Sequence, residues 1–140
     1  MNGPLQGVKV FDLSIIGVGP FATMILANMG ADVIKVDQPG WPPTRQGSPP
    51  FYNGLSIVYM ACQLGKRGIV LNLKTSQDKE TAVRLLREAD VFVENMKWGT
   101  VQKLGLGYKE IEELNPSIVY GNFPGWGSSG PARIWTAGSG

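Results

Sequence analysis

The chain contains no histidine and a single cysteine, Cys62. Without histidine there is no Ser/His/Asp triad and no His-ligated zinc. A lone thiol forms neither an intrachain disulfide nor a metal site, so no metal is expected. Cys62 sits in the apolar run Ile57-Val58-Tyr59-Met60-Ala61-Cys62, which predicts a buried core thiol rather than a nucleophile. Charge is also scarce. There are 13 basic and 11 acidic residues in 140, a net charge of +2, and Lys66-Arg67 is the sole adjacent basic pair. That is too little positive charge to grip a phosphate backbone, so a nucleic-acid partner is not expected. No apolar run approaches the roughly 20 residues of a membrane span, and residues 1–30 carry no basic leader. The expectation is a cytoplasmic protein with no membrane partner.

What is present suits one globular domain over residues 1–140. Hydrophobic residues make up 43% of the chain and charged residues 17%, enough for a sizeable core. Val8 to Leu13 alternate as a strand does. Pro20 fits the first turn of a helix that runs over Phe21 to Met29 and stops at Gly30. Ala31 to Asp37 form the next strand. Strand, helix, strand within about 30 residues is a βαβ unit with parallel strands.

Residues 38–50 hold five prolines and two glycines, which predicts a loop. Residues 54–63 predict a short helix and Gly68 to Leu73 a third strand. Ser76 is a candidate N-cap for a helix over Gln77 to Glu88. Asp90 to Glu94 predict a fourth strand. Short helices are expected over residues 99–104 and 109–114, the latter stopped by Asn115-Pro116. Ser117 to Gly121 make the fifth strand, and from Asn122 the chain is rich in Gly, Ser and Pro. This alternation predicts an α/β, Rossmann-like, doubly wound, mainly parallel sheet with helices on both faces.

Ligands of such sheets bind beyond the carboxyl ends of the strands. Those ends carry residues 12–19, 37–45, 72–75, 94–98 and 122–127, a mixture of glycines, amides, lysines and aromatics that suits a nucleotide-like ligand. Gly17-Val18-Gly19-Pro20-Phe21-Ala22 matches G-x-G-x-x-G/A, and Asp37 stands 20 residues after Gly17. This leaves an NAD-binding oxidoreductase module open. Against it, Ser14-Ile15-Ile16 separate the first glycine from the strand, and Pro20 removes one N–H from the helix end. Lys66, Arg67 and Lys74 either meet phosphates or form a solvated edge. Asn95 either holds a ligand group or bridges loop backbone. Trp98 and Trp126 either pack loops or stack on a base.

The same stretches resemble the class III CoA-transferase, or CaiB/BaiF, family. The resemblance runs through Leu5-x-Gly7-Val8-Lys9-Val10-x-Asp12-Leu13-Ser14, Gly19-Pro20-x-Ala22-Thr23 and Leu26-Ala27-x-Met29-Gly30-Ala31-Asp32-Val33-Ile34-Lys35-Val36. It continues in Gly65-Lys66-Arg67-Gly68-Ile69-Val70-Leu71-Asn72-Leu73-Lys74, Ala89-Asp90-Val91-x-Val93-Glu94-Asn95, Leu104-Gly105-Leu106-Gly107-Tyr108, Leu114-Asn115-Pro116 and Gly125-Trp126-Gly127-x-x-Gly130-Pro131.

The resemblance implies that CoA or an acyl-CoA is the ligand. It places CoA-contacting positions at Val18, Gln38, Leu71, Lys74, Asn95, Met96, Lys103 and Leu104. Lys74 and Lys103 would meet phosphates, while Leu71, Met96 and Leu104 would flank the adenine. Gly17 stands where some members have glutamine, and Gln38 where some have arginine, so substrate specificity does not carry across. The resemblance also implies that the catalytic aspartate lies downstream of the last matched motif. No catalytic residue is then expected in the chain, which reads as an apparently truncated N-terminal part, possessing no transferase activity alone, or as a stand-alone CoA-binding module. Asp12, Asp32 and Asp37 occupy motif positions of structural character. Family members are interlocked dimers, so a homodimer or other self-association is expected.

Overall fold

The computed structural model describes residues 3–40 and 49–135. Its centre is a five-stranded parallel sheet of β1 (Lys9–Asp12), β2 (Asp32–Asp37), β5 (Arg67–Val70), β6 (Val91–Glu94) and β7 (Val119–Asn122), in the spatial order β5-β2-β1-β6-β7. Every pairing in it is parallel. Counted along the sheet's own strands this is 3-2-1-4-5, the Rossmann order, with its direction reversing between β1 and β6. β1 and β2 are parallel neighbours with Val10 opposite Val33, joined by helix α1 (Val18–Asn28) as the βαβ pattern predicts.

The strands place alternate side chains on opposite faces. Val10, Val33 and Val93 point to one face, where Leu26 and Ala27 of α1 cover them. Phe11, Val36 and Phe92 point to the other. That face is covered by Ala82 and Leu86 of α3 (Ser76–Arg87), Val101 of α4 (Thr100–Lys103) and Ile111 of α5 (Tyr108–Leu114). Helices therefore lie on both faces of the sheet. The larger core is tied together by aromatic edges, Phe92 lying 5.6 Å from Phe11 and 5.0 Å from Tyr120, centroid to centroid.

Several boundaries differ from the sequence reading. Helix α1 begins at Val18, so Pro20 is its third residue, still within the turn where a missing N–H is tolerated. Gly30 ends the helix in the left-handed region with φ 100°. The N-cap of α3 is Thr75, one residue before the predicted Ser76, and its hydroxyl accepts from the Asp78 N–H. The third sheet strand stops at Val70, and Leu71 and Leu73 turn into the larger core instead of extending the strand. Residues 54–63 are not one helix. A small hairpin of β3 (Phe51–Tyr52) and β4 (Leu55–Ser56) precedes the short helix α2 (Ile57–Cys62). Cys62, expected in the core, is only half-buried at the end of α2. A 3-10 turn, Pro131–Ile134, follows the fifth sheet strand. Most of the proline-rich loop 38–50, namely residues 41–48, and the glycine-rich residues 136–140 lie outside the described residues.

Candidate functional site

All the carboxyl ends of the parallel strands open on one edge of the sheet. At that edge, where the strand order reverses, lies a cleft of about 530 Å³, within the usual range for small-molecule sites. Its walls come from four of the strand ends. Ile15, Ile16, Gly17 and Val18 follow β1, Gln38 follows β2, Asn95 to Trp98 and Thr100 follow β6, and Phe123 to Gly125 follow β7. Arg133 and Trp135 of the last turn complete the lining.

The wall at residues 14–18 is clamped twice. Asn95 reaches across the switch point, where its Oδ1 accepts from the Ile15 N–H at 2.7 Å and its Nδ2 donates to the Ile16 carbonyl at 2.7 Å. Of the two roles read for Asn95, this is the bridging one. The clamp needs glycine at position 19, because a Cβ there would stand 2.4 Å from Ser14 Cβ and 3.2 Å from Asn95 Cγ.

The second clamp is a fully buried ion pair behind the wall. Lys66 Nζ lies 2.9 Å from Asp12 Oδ2, with side-chain exposures of 1% and 0%. Lys66 also donates to the Pro20 carbonyl at 2.8 Å. Asp12 accepts further from the Ser14 N–H and hydroxyl and from the Thr23 hydroxyl. Burial pushes the Lys66 ammonium below the usual lysine range, against the pull of the Asp12 carboxylate. Both earlier readings of Lys66, phosphate ligand and solvated charge, are thereby overturned. Arg67 makes an exposed two-pronged pair with Asp32.

Glu94, 1% exposed at the end of β6, anchors the next wall. Its carboxylate accepts from the Met96 N–H at 2.8 Å and from the Asn122 amide, which fixes the loop that presents Met96 to Trp98. Burial raises its pKa above the ordinary glutamate range, and these hydrogen bonds oppose the rise. Burial and the nearby Glu94 carboxylate raise the Tyr120 phenol as well.

Of the eight positions that the family resemblance singles out, Val18, Gln38, Asn95 and Met96 line the cleft. Leu71 is a core residue, 4% exposed, and Leu104 packs against the same core. Lys74 is exposed in the turn after β5, and Lys103 is exposed at the last position of α4. The sequence reading passed over Lys97 and Arg133 as site residues, although Lys97 lies within one of the strand-end segments. Trp98 does line the cleft, whereas Trp126 packs edge-on against Trp135 at 5.7 Å. Asp37, the acid required by the NAD pattern, is held by Lys35 at 3.2 Å and by the Tyr59 hydroxyl at 2.9 Å. Among the described residues no group of three or more His, Cys, Asp or Glu is placed to hold a metal ion. No helix among them is long and apolar enough to cross a membrane.

A parallel sheet in Rossmann order with helices on both faces defines the class as a Rossmann-like α/β unit. The particular family follows from comparison with known proteins. The model of CoA-transferase family III matches residues 5–138, and the chain belongs to that family. It is 42% identical over 129 residues to the human protein "Succinyl-CoA:glutarate CoA-transferase", a match covering 91% of this chain and 30% of that protein. It is 40% identical over 129 residues to the Haloarcula marismortui "Succinyl-CoA:mesaconate CoA-transferase", covering 89% of this chain and 33% of the relative. Among solved structures, a CaiB/BaiF family protein from Brucella suis superposes with a TM-score of 0.90 at 38% identity, covering 98% of this chain and 37% of that one. The chain thus spans about a third of the length of these relatives.

Proposed function

We propose that this chain is the coenzyme-binding part of a CoA-transferase, and that the cleft at the β1/β6 switch point receives the reactive end of a CoA thioester. The observation that carries the reading is the convergence of Val18, Gln38, Asn95 and Met96 on that cleft. The relatives' names supply the chemistry, transfer of CoA between a thioester and a carboxylic acid. Lys74 and Lys103 lie outside the cleft lining, and in this reading they meet the phosphates of the long CoA arm. No residue of the chain is assigned as nucleophile, because the resemblance puts the family's aspartate beyond the last matched motif. The NAD alternative is disfavoured by the engagement of Asp37 with Lys35 and Tyr59 and by Pro20 in the first helical turn.

Calorimetry tests the reading. CoA is expected to bind more tightly than NAD, and Lys74→Ala to weaken CoA binding by on the order of 1 kcal/mol or somewhat more, the loss of one charged contact. Tighter NAD binding with no CoA signal at millimolar concentration would overturn it. Acyl-CoA donors and free acids are expected to leave no acyl adduct on the chain by mass spectrometry, since a covalent route needs a positioned nucleophile.

Self-association is part of the same proposal. Phe21 and Ile25 of α1 and Met29, the residue that caps its C-terminal end, recur at helical spacing and are all exposed, and α1 carries no charged residue. An uncharged apolar stripe of this kind suits a second copy related by a two-fold axis. Light scattering over a concentration series should show a mass above the monomer at micromolar protein, and a persistent monomer would retire the dimer.

A further inference from the structure

The parallel ladder between β6 and β7 ends with Glu94 opposite Asn122. Beyond it the chain continues into two walls of the cleft, Asn95 to Trp98 after β6 and Phe123 to Gly125 after β7. Glu94 is not itself in the cleft lining, but its side chain ties both walls from behind. Oε2 accepts from the Met96 N–H at 2.8 Å, and Oε1 accepts from the Asn122 amide. The Tyr120 hydroxyl lies 3.4 Å from the same Oε1 and 3.4 Å from the Leu106 carbonyl. Glu94 is 1% exposed, and among the described residues no cation pairs with it. A carboxylate kept there without a counter-ion carries a desolvation cost that a neutral side chain would avoid. Stability alone does not account for it.

On the coenzyme reading above, on which this inference rests, those walls meet the CoA thioester. We propose that Glu94 is a positioning residue for the coenzyme: its ionised carboxylate holds the two walls together, and protonation releases one of them. The ionised group uses both of its oxygens as acceptors, whereas a carboxylic acid keeps one good acceptor. A proton on Oε1 is donated to the Tyr120 oxygen, the Tyr120 proton turns to the Leu106 carbonyl, and the Asn122 amide loses its acceptor. Burial raises the Glu94 pKa above the ordinary glutamate range, which moves this exchange toward neutral pH. Tyr120 is the titratable group that faces Glu94, and its own raised pKa keeps it protonated throughout. On the helices over that face, Glu110 of α5 acts on Tyr120, Lys103 of α4 is exposed and Lys79 of α3 lies against Gly105. Asp12 on neighbouring β1 is paired with Lys66, and α1 carries no charge.

Calorimetry with CoA on the full chain tests this. Glu94→Gln keeps one acceptor and should weaken CoA about tenfold at about pH 8, the scale of one hydrogen bond to a charged group. The double variant Glu94→Gln/Asn122→Asp moves the carboxylate to the other strand, where the new amide can donate to it, and should recover most of the loss. The affinity ratio of wild type to Glu94→Gln should fall toward one between about pH 8 and about pH 5. Titration of the coenzyme's own phosphate cancels in that ratio. Stability should move the other way. A carboxyl whose pKa is raised on folding favours the folded state as pH falls, so the melting temperature of wild type relative to Glu94→Gln should rise over the same interval. A purely structural role would move affinity and melting temperature together at every pH, without recovery in the double variant, and that result would overturn the inference. If Glu94→Gln does not fold, Asn122→Ala cuts the same tie and should weaken CoA likewise. Unchanged affinity in the folded variant, with CoA still binding the wild type, would overturn this inference and leave the coenzyme reading standing. Failure of the wild type to bind CoA at any pH would remove both.

Discussion

Replacing Lys66 with Met should cost about 3–5 kcal/mol of folding stability, the range for removing one partner of a buried ion pair. The Lys66 side chain is 1% exposed, and its loss leaves Asp12, 0% exposed, as a buried carboxylate without a counter-ion. The Ser14 and Thr23 donors still reach Asp12, which holds the loss toward the lower part of that range. The double variant Asp12→Asn/Lys66→Met removes the charge as well as its partner and should recover part of the loss. Urea unfolding measures both. A loss below about 1 kcal/mol for the single variant, the scale of a surface pair, would show that the pair is not structural. A functional effect should accompany the structural one, because the same pair ties the Pro20 carbonyl and the first turn of α1 behind the cleft wall.

Phe92→Ala should be of similar size, about 3–5 kcal/mol, the usual cost of deleting a fully buried aromatic ring. Phe92 is 0% exposed in the central part of the sheet and meets both Phe11 and Tyr120 edge to face. Its removal therefore loses transfer energy and two ring contacts and leaves a cavity between the sheet and the helices on that face. Phe92→Leu fills most of the volume and should retain much of the stability. A loss under about 1.5 kcal/mol for the alanine variant, read from the same urea curves, would mean that the core collapses around the gap.

The sheet was legible in the sequence because each strand carries its own signal. Val8 to Leu13 alternate, Ala31 to Asp37 are rich in β-branched residues, and Pro20 and Gly30 punctuate the helix between them. The site was legible only as a set of strand ends, since parallel strands must present those ends together. The hairpin before α2 was missed although its turn, Asn53-Gly54, is a strong local signal. Both residues adopt positive φ there, 48° and 79°. The apolar run after it masked a pair of strands only two residues long. Lys66 was misread for a different reason. Its partner is 54 residues away in the chain, and nothing local distinguishes a buried lysine from a solvated one. Arg133 escaped for the same reason, since only folding brings the last turn to the cleft that Asn95 and Lys97 also line.

The pairing of β1 with β6 has a kinetic consequence. β1 meets β2 across a short crossover, with Val10 opposite Val33, but meets β6 with Val10 opposite Val91. The entropy of closing that long loop is spent before any of its contacts form, which makes this joining slow compared with local pairing. During synthesis the first βαβ unit can collapse while β1 still has one open edge, and β6 must emerge before that edge is sealed. The cleft is lined from both sides of this one seam. It is therefore assembled late, after the local structure on either side has formed.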